Sequence, residues 1–249
     1  MIESLFELKL GVSIHSRLIT AGSFFDGSSS LVFAQSGSSL LVYSPFVEDS
    51  RSVERIGTNS FSRITISQEV CALTSGVFPG DDASTLFIGS SAAIQAFDVL
   101  NNKDIFFAEC TDPASALTFG KISSHPEPLV MVGGSCTVQG YDRTGAEVFW
   151  TSTGDVVSAL AVSGPLEDAT SDAAKRGPEQ AELCVGSEDY NIRWFAGEVL
   201  DADVMETAAP THLLWMGGGC WAYALSNGSV GVYQGTQRYV DVDAGHEAD

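Results

Sequence analysis

One short pattern occurs five times along the chain. In each copy an apolar strand ends in a small residue, a polar turn follows, and a second strand of alternating apolar residues closes on an aromatic side chain. Alternation on both sides of a turn rich in Gly, Ser and Asn is typical of an antiparallel hairpin with a buried face. We therefore predict five hairpins: LVFAQSGSSLLVY (31–43), LFIGSSAAIQAF (86–97), VMVGGSCTVQGY (130–141), LCVGSEDYNIRWF (183–195) and WAYALSNGSVGVY (221–233).

The spacing of the hairpins indicates the architecture. Their closing aromatics, Tyr43, Phe97, Tyr141, Phe195 and Tyr233, lie 54, 44, 54 and 38 residues apart. Repeats of about 40 to 50 residues are typical of four-stranded propeller blades. Further strands fit between the hairpins: 70–78, 115–122 and 156–164 as innermost strands, 104–109 and 147–152 as outermost strands, with 7–14 and 17–24 opening the first blade. We predict an all-β propeller of about five four-stranded antiparallel blades over residues 1–240.

Three segments fall outside this pattern. Residues 44–67 and 167–180 read as polar loops, and 241–249 as an acidic, disordered tail. A propeller must close on itself to remove its sheet edges. Two alternatives remain for closure: a complete five-bladed ring, or the front part of a larger ring of six or seven blades.

The charge balance excludes some partners. Against 12 Lys and Arg stand 32 Asp and Glu, which gives a net charge of −20. Such a surface repels nucleic-acid phosphates and anionic lipid heads, so we expect neither nucleic-acid binding nor direct membrane insertion. Five scattered cysteines without a C-x-x-C pair, and an N-terminus without signal-peptide character, predict free thiols in a reducing compartment such as the cytoplasm.

Several motifs resemble catalytic or binding sites but have simpler explanations. Gly217, Gly219 and Ala222 spell G-x-G-x-x-A, yet this stretch opens a predicted strand rather than a helix, which indicates a turn and not a dinucleotide site. Residues 187–189, Ser-Glu-Asp, occupy a predicted hairpin turn. Asn227-Gly228-Ser229 matches a glycosylation sequon, but we interpret its Asn-Gly as a type I′ turn.

The sequence gives little indication of a metal-binding site. The four histidines, His15, His125, His212 and His246, are isolated from one another. The loop with Glu167, Asp168 and Asp172 is acidic but lacks the alternation and the glycine of a calcium loop, so we interpret it as solvated. We predict no catalytic residue, no cofactor site and no metal site, and hence no enzyme.

Six segments carry a resemblance to a known family. They are FELKL (6–10), VCALTSGVF (70–78), LFIGSSAAIQAFDVLNNKDIFF (86–107), GGSCTVQGYDRTGAEVFWTSTGD (133–155), VGSEDYNIRWF (185–195) and YALSNGSVGVY (223–233). In their residues and in their order along the chain, these segments resemble the Bardet–Biedl syndrome protein 2 family, the second subunit of the BBSome. The match runs, with gaps, over nearly the whole chain. It implies a seven-bladed amino-terminal propeller, about two blades longer than this chain, followed by further modules.

The resemblance also implies a role. The family has no known enzymatic site and helps to build an adaptor complex that moves membrane proteins through cilia. Its members pair with the seventh and ninth subunits, are assembled with chaperonin-type factors, and are found in the cytoplasm, at the basal body and at the ciliary membrane. We therefore expect a non-catalytic scaffold, for which Trp194, Trp215 and Trp221 are candidate partner anchors. The alternative is a ligand-binding or enzymatic propeller with acidic residues in its central channel.

Overall fold

In the computed structural model, all regular structure of the described residues is β-strand. The structure describes residues 13–15, 17–25, 28–36, 38–44, 53–56, 59–163 and 182–242, and these contain 21 strands in five antiparallel sheets and no helix. We call the sheets blades 1 to 5 in chain order. The all-β prediction of four-stranded antiparallel blades is confirmed, and blade 1 carries one additional strand.

The strands follow one another in space nearly as they do in sequence. Blade 1 has the order β1-β2-β3-β5-β4, with β1 Ile19–Phe25, β2 Ser28–Ser36, β3 Ser39–Tyr43, β4 Val53–Ile56 and β5 Asn59–Thr65. Blade 2 contains β6 Val70–Gly76, β7 Thr85–Ser90, β8 Ala93–Asp98 and β9 Lys103–Glu109. Blade 3 contains β10 Ala116–Gly120, β11 Leu129–Gly133, β12 Thr137–Tyr141 and β13 Glu147–Ser152.

Blades 4 and 5 repeat the same meander. Blade 4 contains β14 Val157–Val162, β15 Leu183–Ser187, β16 Asn191–Ala196 and β17 Val199–Met205. Blade 5 contains β18 Pro210–Gly217, β19 Cys220–Leu225, β20 Val230–Gln234 and β21 Gln237–Val242. The predicted innermost and outermost strands of blades 2 to 4 coincide with β6, β10, β14, β9 and β13. The strands β17, β18 and β21 were not predicted.

The five predicted hairpins are the second and third strands of the five blades. In every copy the first apolar residue of the pattern pairs with the closing aromatic. The pairs are Leu31 with Tyr43, Leu86 with Phe97, Val130 with Tyr141, Leu183 with Phe195, and Trp221 with Tyr233. The sequence repeat therefore defines one fixed strand register, and this register puts each aromatic on the same face of its blade.

Adjacent blades interlock at a small residue on the second strand. Gly89, Gly133 and Gly186 occupy corresponding positions, and a Cβ on any of them would collide with the next blade. It would lie 2.7 Å from the Ala114 side chain at Gly89, and 2.6 Å from the Pro210 side chain at Gly186. We call each of these positions a socket. The side chain of the next innermost segment fills it, which explains why the repeat requires a small residue there.

Serine hydroxyls add hydrogen bonds between neighbouring blades near the centre. Each hydroxyl lies on an innermost strand or at its start and donates to a backbone carbonyl of an adjacent blade. The pairs are Ser75 with Ala21 O (2.6 Å), Ser115 with Val157 O (2.6 Å) and Ser158 with Pro210 O. A hydroxyl is short enough to do this without separating the packed strands, so these contacts fix how neighbouring blades align.

The innermost strands β1, β6, β10, β14 and β18 pack side by side in that order. Between β18 and β1 the described residues show no comparable packing. The blades thus form a propeller arc around a central channel, open between blade 5 and blade 1 in the part of the chain that the structure describes.

The two end faces of the arc differ. On the face of blade 1 directed away from blade 2, Phe33 and Leu41 are fully buried and Phe61 is 1% exposed. On the face of blade 5 directed away from blade 4, Leu214 is 63% exposed and Met216 is 59% exposed. These two residues line an apolar groove of about 390 Å³ together with Ala222, Ala224, Val230, Val232 and Val240. We call this surface the open face.

The prediction for one irregular segment was wrong. Residues 44–67 are not all loop, because β4 and β5 form a hairpin and β5 pairs with β3. In β5 the apolar residues point to both faces, Phe61 to one and Ile64 to the other, so the simple alternation that marks a one-faced strand is lost. β21 continues to Val242 and so includes the first two residues of the predicted tail, 241–249.

The turn at Asn227-Gly228 is not type I′. Only Gly228 has a positive φ, of 90°, whereas type I′ needs positive φ at both central residues. The Gly228 N–H donates to Leu225 O (3.1 Å) and the Leu225 N–H to Ser229 O (2.8 Å). This is a three-residue hairpin loop with glycine at the left-handed position. The predicted strand at 7–14, apart from its last two residues, the loop 167–180 and residues 243–249 lie outside the described residues.

Candidate functional site

The central channel is lined by all five blades. Its cavity has a volume of about 380 Å³. The lining residues come from the innermost strands and the segments just before them, and include His15, Arg17, Cys71, Ser115, Ser158, Thr211 and His212. Folding brings His15 and His212 to the same cavity, although they are far apart in the sequence. No sequence signal indicated this pairing, since each histidine is isolated along the chain.

In the described part of the chain the channel wall combines apolar side chains with Arg17, two histidines and several hydroxyl groups. Among the described residues that line the cavity, none is Asp or Glu. The alternative of an acidic channel site therefore receives no support from the described part of the chain. His125, the third described histidine, lies in an exposed turn beside Ser124, at 3.0 Å from its hydroxyl.

A folded-back segment holds Arg17 at the channel. The His15 N–H donates to Ala34 O (3.0 Å), and the Leu18 N–H donates to His15 O (3.1 Å), so a tight turn ties the segment to β2. From this turn the guanidinium reaches the carbonyl oxygens of Ser158 and Thr211, each at 3.4 Å. Arg17 thereby joins blade 1 to blades 4 and 5 across the channel, next to the opening of the arc.

The outermost strands form an apolar and acidic rim. On β9 the Phe107 side chain is 53% exposed, and on β13 the Trp150 side chain is 51% exposed. The two occupy corresponding positions, because Phe107 pairs with Gln95 and Trp150 with Gln139, two residues before the closing aromatic. Further exposed apolar side chains on these strands are Ile105, Val199, Leu200, Met205 and Tyr239.

Carboxylates accompany the rim aromatics in a repeated arrangement. The Gln95 amide donates to Asp104 (2.6 Å), and the Gln139 amide donates to Glu147 (2.7 Å). In blades 2 and 3 the same strand pair thus presents an exposed aromatic ring with a carboxylate nearby on the outermost strand. This combination suits a partner that offers apolar and basic groups together. We call the two aromatic residues, Phe107 and Trp150, the rim pair. Asp104 and Glu147 are the carboxylates that accompany them.

The predicted tryptophan anchors are mostly core. Trp194 and Trp221 are each 2% exposed and pack in the cluster between blades 4 and 5. Trp215 is half-buried against Trp221, with ring centroids 4.6 Å apart. Sequence reasoning missed Trp150, the exposed tryptophan. The available signal was its place on a predicted outermost strand, where one face of the strand is free of neighbours.

The predicted turn motifs have structural roles. Asp189 forms a salt bridge with Arg193, which also donates to the Ser187 hydroxyl (2.6 Å). Burial alone would raise the pKa of Asp189, but hydrogen bonds from Arg193 and from the Asn191 backbone outweigh it and lower the pKa. Gly218 and Gly219 join β18 to β19 and both have positive φ, as the two central residues of a type I′ hairpin turn require. Gly217, the last residue of β18, has a positive φ as well.

A buried carboxylate joins blade 4 to blade 5. Glu206 follows β17, and its carboxylate accepts hydrogen bonds from the Arg238 guanidinium (2.7 and 2.8 Å) and from the Tyr233 hydroxyl. Burial and the neighbouring carboxylate raise the pKa of Tyr233 to about 12. With these donors the carboxylate is satisfied within the fold, so we interpret the cluster as structural.

The Cys184 thiol lies in the core of the fold. Burial raises the pKa of the Cys184 thiol well above its ordinary value, which suits an inert core thiol. The described residues contain no group of three or more His, Cys, Asp or Glu side chains able to hold a metal ion. Within the same residues, no helix has the length and apolar character needed to cross a membrane.

Solved structures with a similar chain path are propellers. The crystal structure of BBS1N in complex with ARL6DN matches with a TM-score of 0.69 at 16% identity, over 93% of this chain and 69% of that chain. The WD40 β-propeller domain of Doa1 matches with a TM-score of 0.66 at 11% identity, over 95% of this chain and 72% of that chain. At these identities the likeness shows the fold alone.

Sequence comparison identifies the family. Residues 20–120 match the N-terminal region, and residues 172–248 the middle region, of ciliary BBSome complex subunit 2. The BBSome complex members BBS2 of Danio rerio and Homo sapiens are each 36% identical over 245 residues, covering 96% of this chain and 33% of theirs. The chain thus spans about a third of the length of these curated relatives. It belongs to the family of BBSome complex subunit 2.

Proposed function

We propose that this chain is a non-catalytic interaction module of a BBSome, and that the rim pair contacts another subunit. The observation that carries the proposal is the exposure of Phe107 and Trp150 at corresponding positions on adjacent blades. Aromatic side chains lose little entropy when they are buried at an interface, and they supply much of the binding energy there. The complex then serves ciliary membrane-protein transport from the cytoplasm and the basal body.

Charge supports a basic partner surface. The chain carries a net charge of −20, and Asp104 and Glu147 lie on the same outermost strands as the rim aromatics. Complementary charge accelerates association and excludes acidic partners, whereas the buried aromatic rings determine the lifetime of the complex. As specific partners we propose the seventh and ninth subunits, with chaperonin-type factors acting during assembly.

Co-expression with these two subunits tests the proposal. We expect the wild-type chain to co-purify with at least one of them, and the double variant Phe107→Ser and Trp150→Ser to bind at least about tenfold more weakly, because hot-spot aromatics are removed. Val77→Ser is the matched control, since Val77 is also exposed, at 46%, but lies off the rim. Undiminished binding by the double variant, or no binding by the wild type, would contradict the proposal.

We also propose that the arc is part of a larger ring. The open face supports this, because it repeats the chemistry of the faces that blades 2 to 4 turn to their next neighbour. Ala224 stands where those blades have the socket residues Gly89, Gly133 and Gly186, and apolar side chains surround it. The occupant that fits is a further four-stranded blade with an aliphatic side chain on its innermost strand.

A further inference from the structure

We propose that the central channel binds a small oxyanion through Arg17, with His15 and His212 as further donors. The ligand is defined by its chemistry, a phosphate, sulfate or carboxylate group, whether free or carried by a partner. This site is distinct from the rim pair, and its occupation does not depend on the scaffold role.

The first support is the charge of the wall. The chain has 32 carboxylates, yet the described residues that line the cavity include Arg17, His15 and His212 and no Asp or Glu. On a strongly acidic protein an anion is repelled from most of the surface. The channel is a concave surface, and its described lining carries the positive charge of Arg17 and no carboxylate.

The second support is the unused hydrogen-bonding capacity of Arg17. A guanidinium has five N–H donors. Among the described residues the hydrogen bonds of Arg17 use one nitrogen, Nη2, which donates to the carbonyl oxygens of Ser158 and Thr211 at 3.4 Å each, near the long limit for a hydrogen bond. The described residues place no carboxylate against it. Donors therefore remain for an oxyanion, which forms shorter, charge-assisted hydrogen bonds with a guanidinium.

The third support is that the site exists before any ligand arrives. The turn formed by Leu18 N–H and His15 O, together with the bond from His15 N–H to Ala34 O, fixes the segment that carries His15 and Arg17. His212 lies on β18, directly after Thr211, whose carbonyl Arg17 contacts, and it lines both the channel and the open face. Donors held on ordered backbone lose little entropy on binding.

The size of the cavity suits a small ligand. About 380 Å³ corresponds to about a dozen water molecules, each occupying roughly 30 Å³ in the liquid. A tetrahedral oxyanion with part of its hydration shell fits this volume. The remaining lining includes the hydroxyls of Ser115 and Ser158, but these already donate to carbonyls of neighbouring blades, so we assign them no role in binding.

Calorimetric titration of the 249-residue chain with sulfate tests the site, with chloride adjusting the ionic strength. Sulfate is the probe because its charge does not change near neutral pH, and heats are measured because sulfate stabilises most proteins nonspecifically. We expect saturable binding that Arg17→Gln weakens about tenfold or more and that Arg17→Lys partly restores. Lys103→Gln, which removes an equal charge on β9, is the matched control and should change affinity by less than about twofold.

Histidine variants separate the contribution of the histidines from that of Arg17. His15→Asn with His212→Asn should weaken sulfate binding less than Arg17→Gln does, because the guanidinium has five N–H donors and a fixed charge. Competition by acetate would indicate a carboxylate-bearing ligand, and its absence a phosphate-type ligand.

Three results would overturn the inference. They are the absence of saturable sulfate binding by the wild type, equal binding by a folded Arg17→Gln variant, and equal weakening by Lys103→Gln. Far-ultraviolet circular dichroism establishes that each variant is folded. The rim variants with Ser at 107 and 150 should bind sulfate normally, so failure of this inference and failure of the scaffold proposal are distinguishable.

Discussion

At the scale of single residues, the junction of blades 4 and 5 depends on a buried carboxylate and its donors. Tyr233 is 2% exposed and Glu206 is 6% exposed, and Arg238 completes the cluster from β21. A buried carboxylate is costly unless hydrogen-bonded groups compensate it. Tyr233 provides such compensation only while its hydroxyl keeps its proton, which makes this junction sensitive to alkaline pH.

We predict that the free energy of unfolding falls as the pH rises above about 10, the ordinary pKa of tyrosine. Burial and the neighbouring Glu206 raise the pKa of Tyr233 to about 12 in the folded state. Because the folded state holds this proton more tightly, the contribution is complete below pH 10 and is lost as the pH approaches 12. Urea unfolding at several pH values measures it.

Tyr233→Phe is the variant that tests this assignment. It should be less stable at neutral pH, because Glu206 loses a donor, and its stability should fall less steeply between pH 10 and 12. Some decline should persist, since burial also raises the pKa of Tyr141. A variant with the same slope as the wild type would exclude Tyr233 as a source of the alkaline sensitivity.

At the scale of strands, each blade is tied to the next through its socket. A Cβ at Gly133 would lie 2.7 Å from the Val157 Cβ, so the two backbones approach as closely as a glycine permits. Larger side chains at such a place force neighbouring strands apart. The corresponding position in blade 5, Ala224, faces the open groove instead.

We therefore predict opposite outcomes for one substitution at two corresponding positions. Gly133→Val should lower the free energy of unfolding by about 2 kcal/mol or more. Ala224→Val should change it by less than about 0.5 kcal/mol, because no described side chain fills that socket. Denaturant unfolding of both variants makes the comparison. Equal destabilisation would show that Ala224 faces packed structure.

Elements that repeat were predictable, and elements that depart from the repeat were not. The hairpins follow from alternation and from a small residue and an aromatic at fixed spacing. In contrast, β5 carries apolar residues on both faces, and β17 contains Asp201 and Asp203 on an exposed outermost edge, so neither shows a one-faced pattern. The meeting of His15 with His212 depends on how whole blades are arranged, which no local pattern contains.

At the scale of the whole molecule, the open face leaves an apolar surface uncovered. Large exposed apolar patches promote association. We predict that the 249-residue chain shows a concentration-dependent apparent mass in sedimentation. Leu214→Lys with Met216→Lys should suppress it without lowering the melting temperature, because these side chains are 63% and 59% exposed and lose few contacts. Ile105→Lys, on the rim, is the matched control.

A clear fall in the melting temperature of the Leu214 and Met216 variant would contradict this prediction, since it would mean that the two side chains are packed. Unchanged association would place the contact elsewhere, and association suppressed by Ile105→Lys would place it at the rim. The two association results therefore assign a location to self-association.

The sockets also set an order of events during synthesis. Gly89 is filled by Ala114 and Leu117, Gly133 by Val157 and Leu160, and Gly186 by Pro210, so each socket receives residues that follow it in the chain. The core between two neighbouring blades can therefore form only after the innermost strand of the second blade has been synthesised. Folding should then proceed blade by blade, one blade behind translation. The unfilled socket of the most recently synthesised blade is the surface that a chaperone would contact.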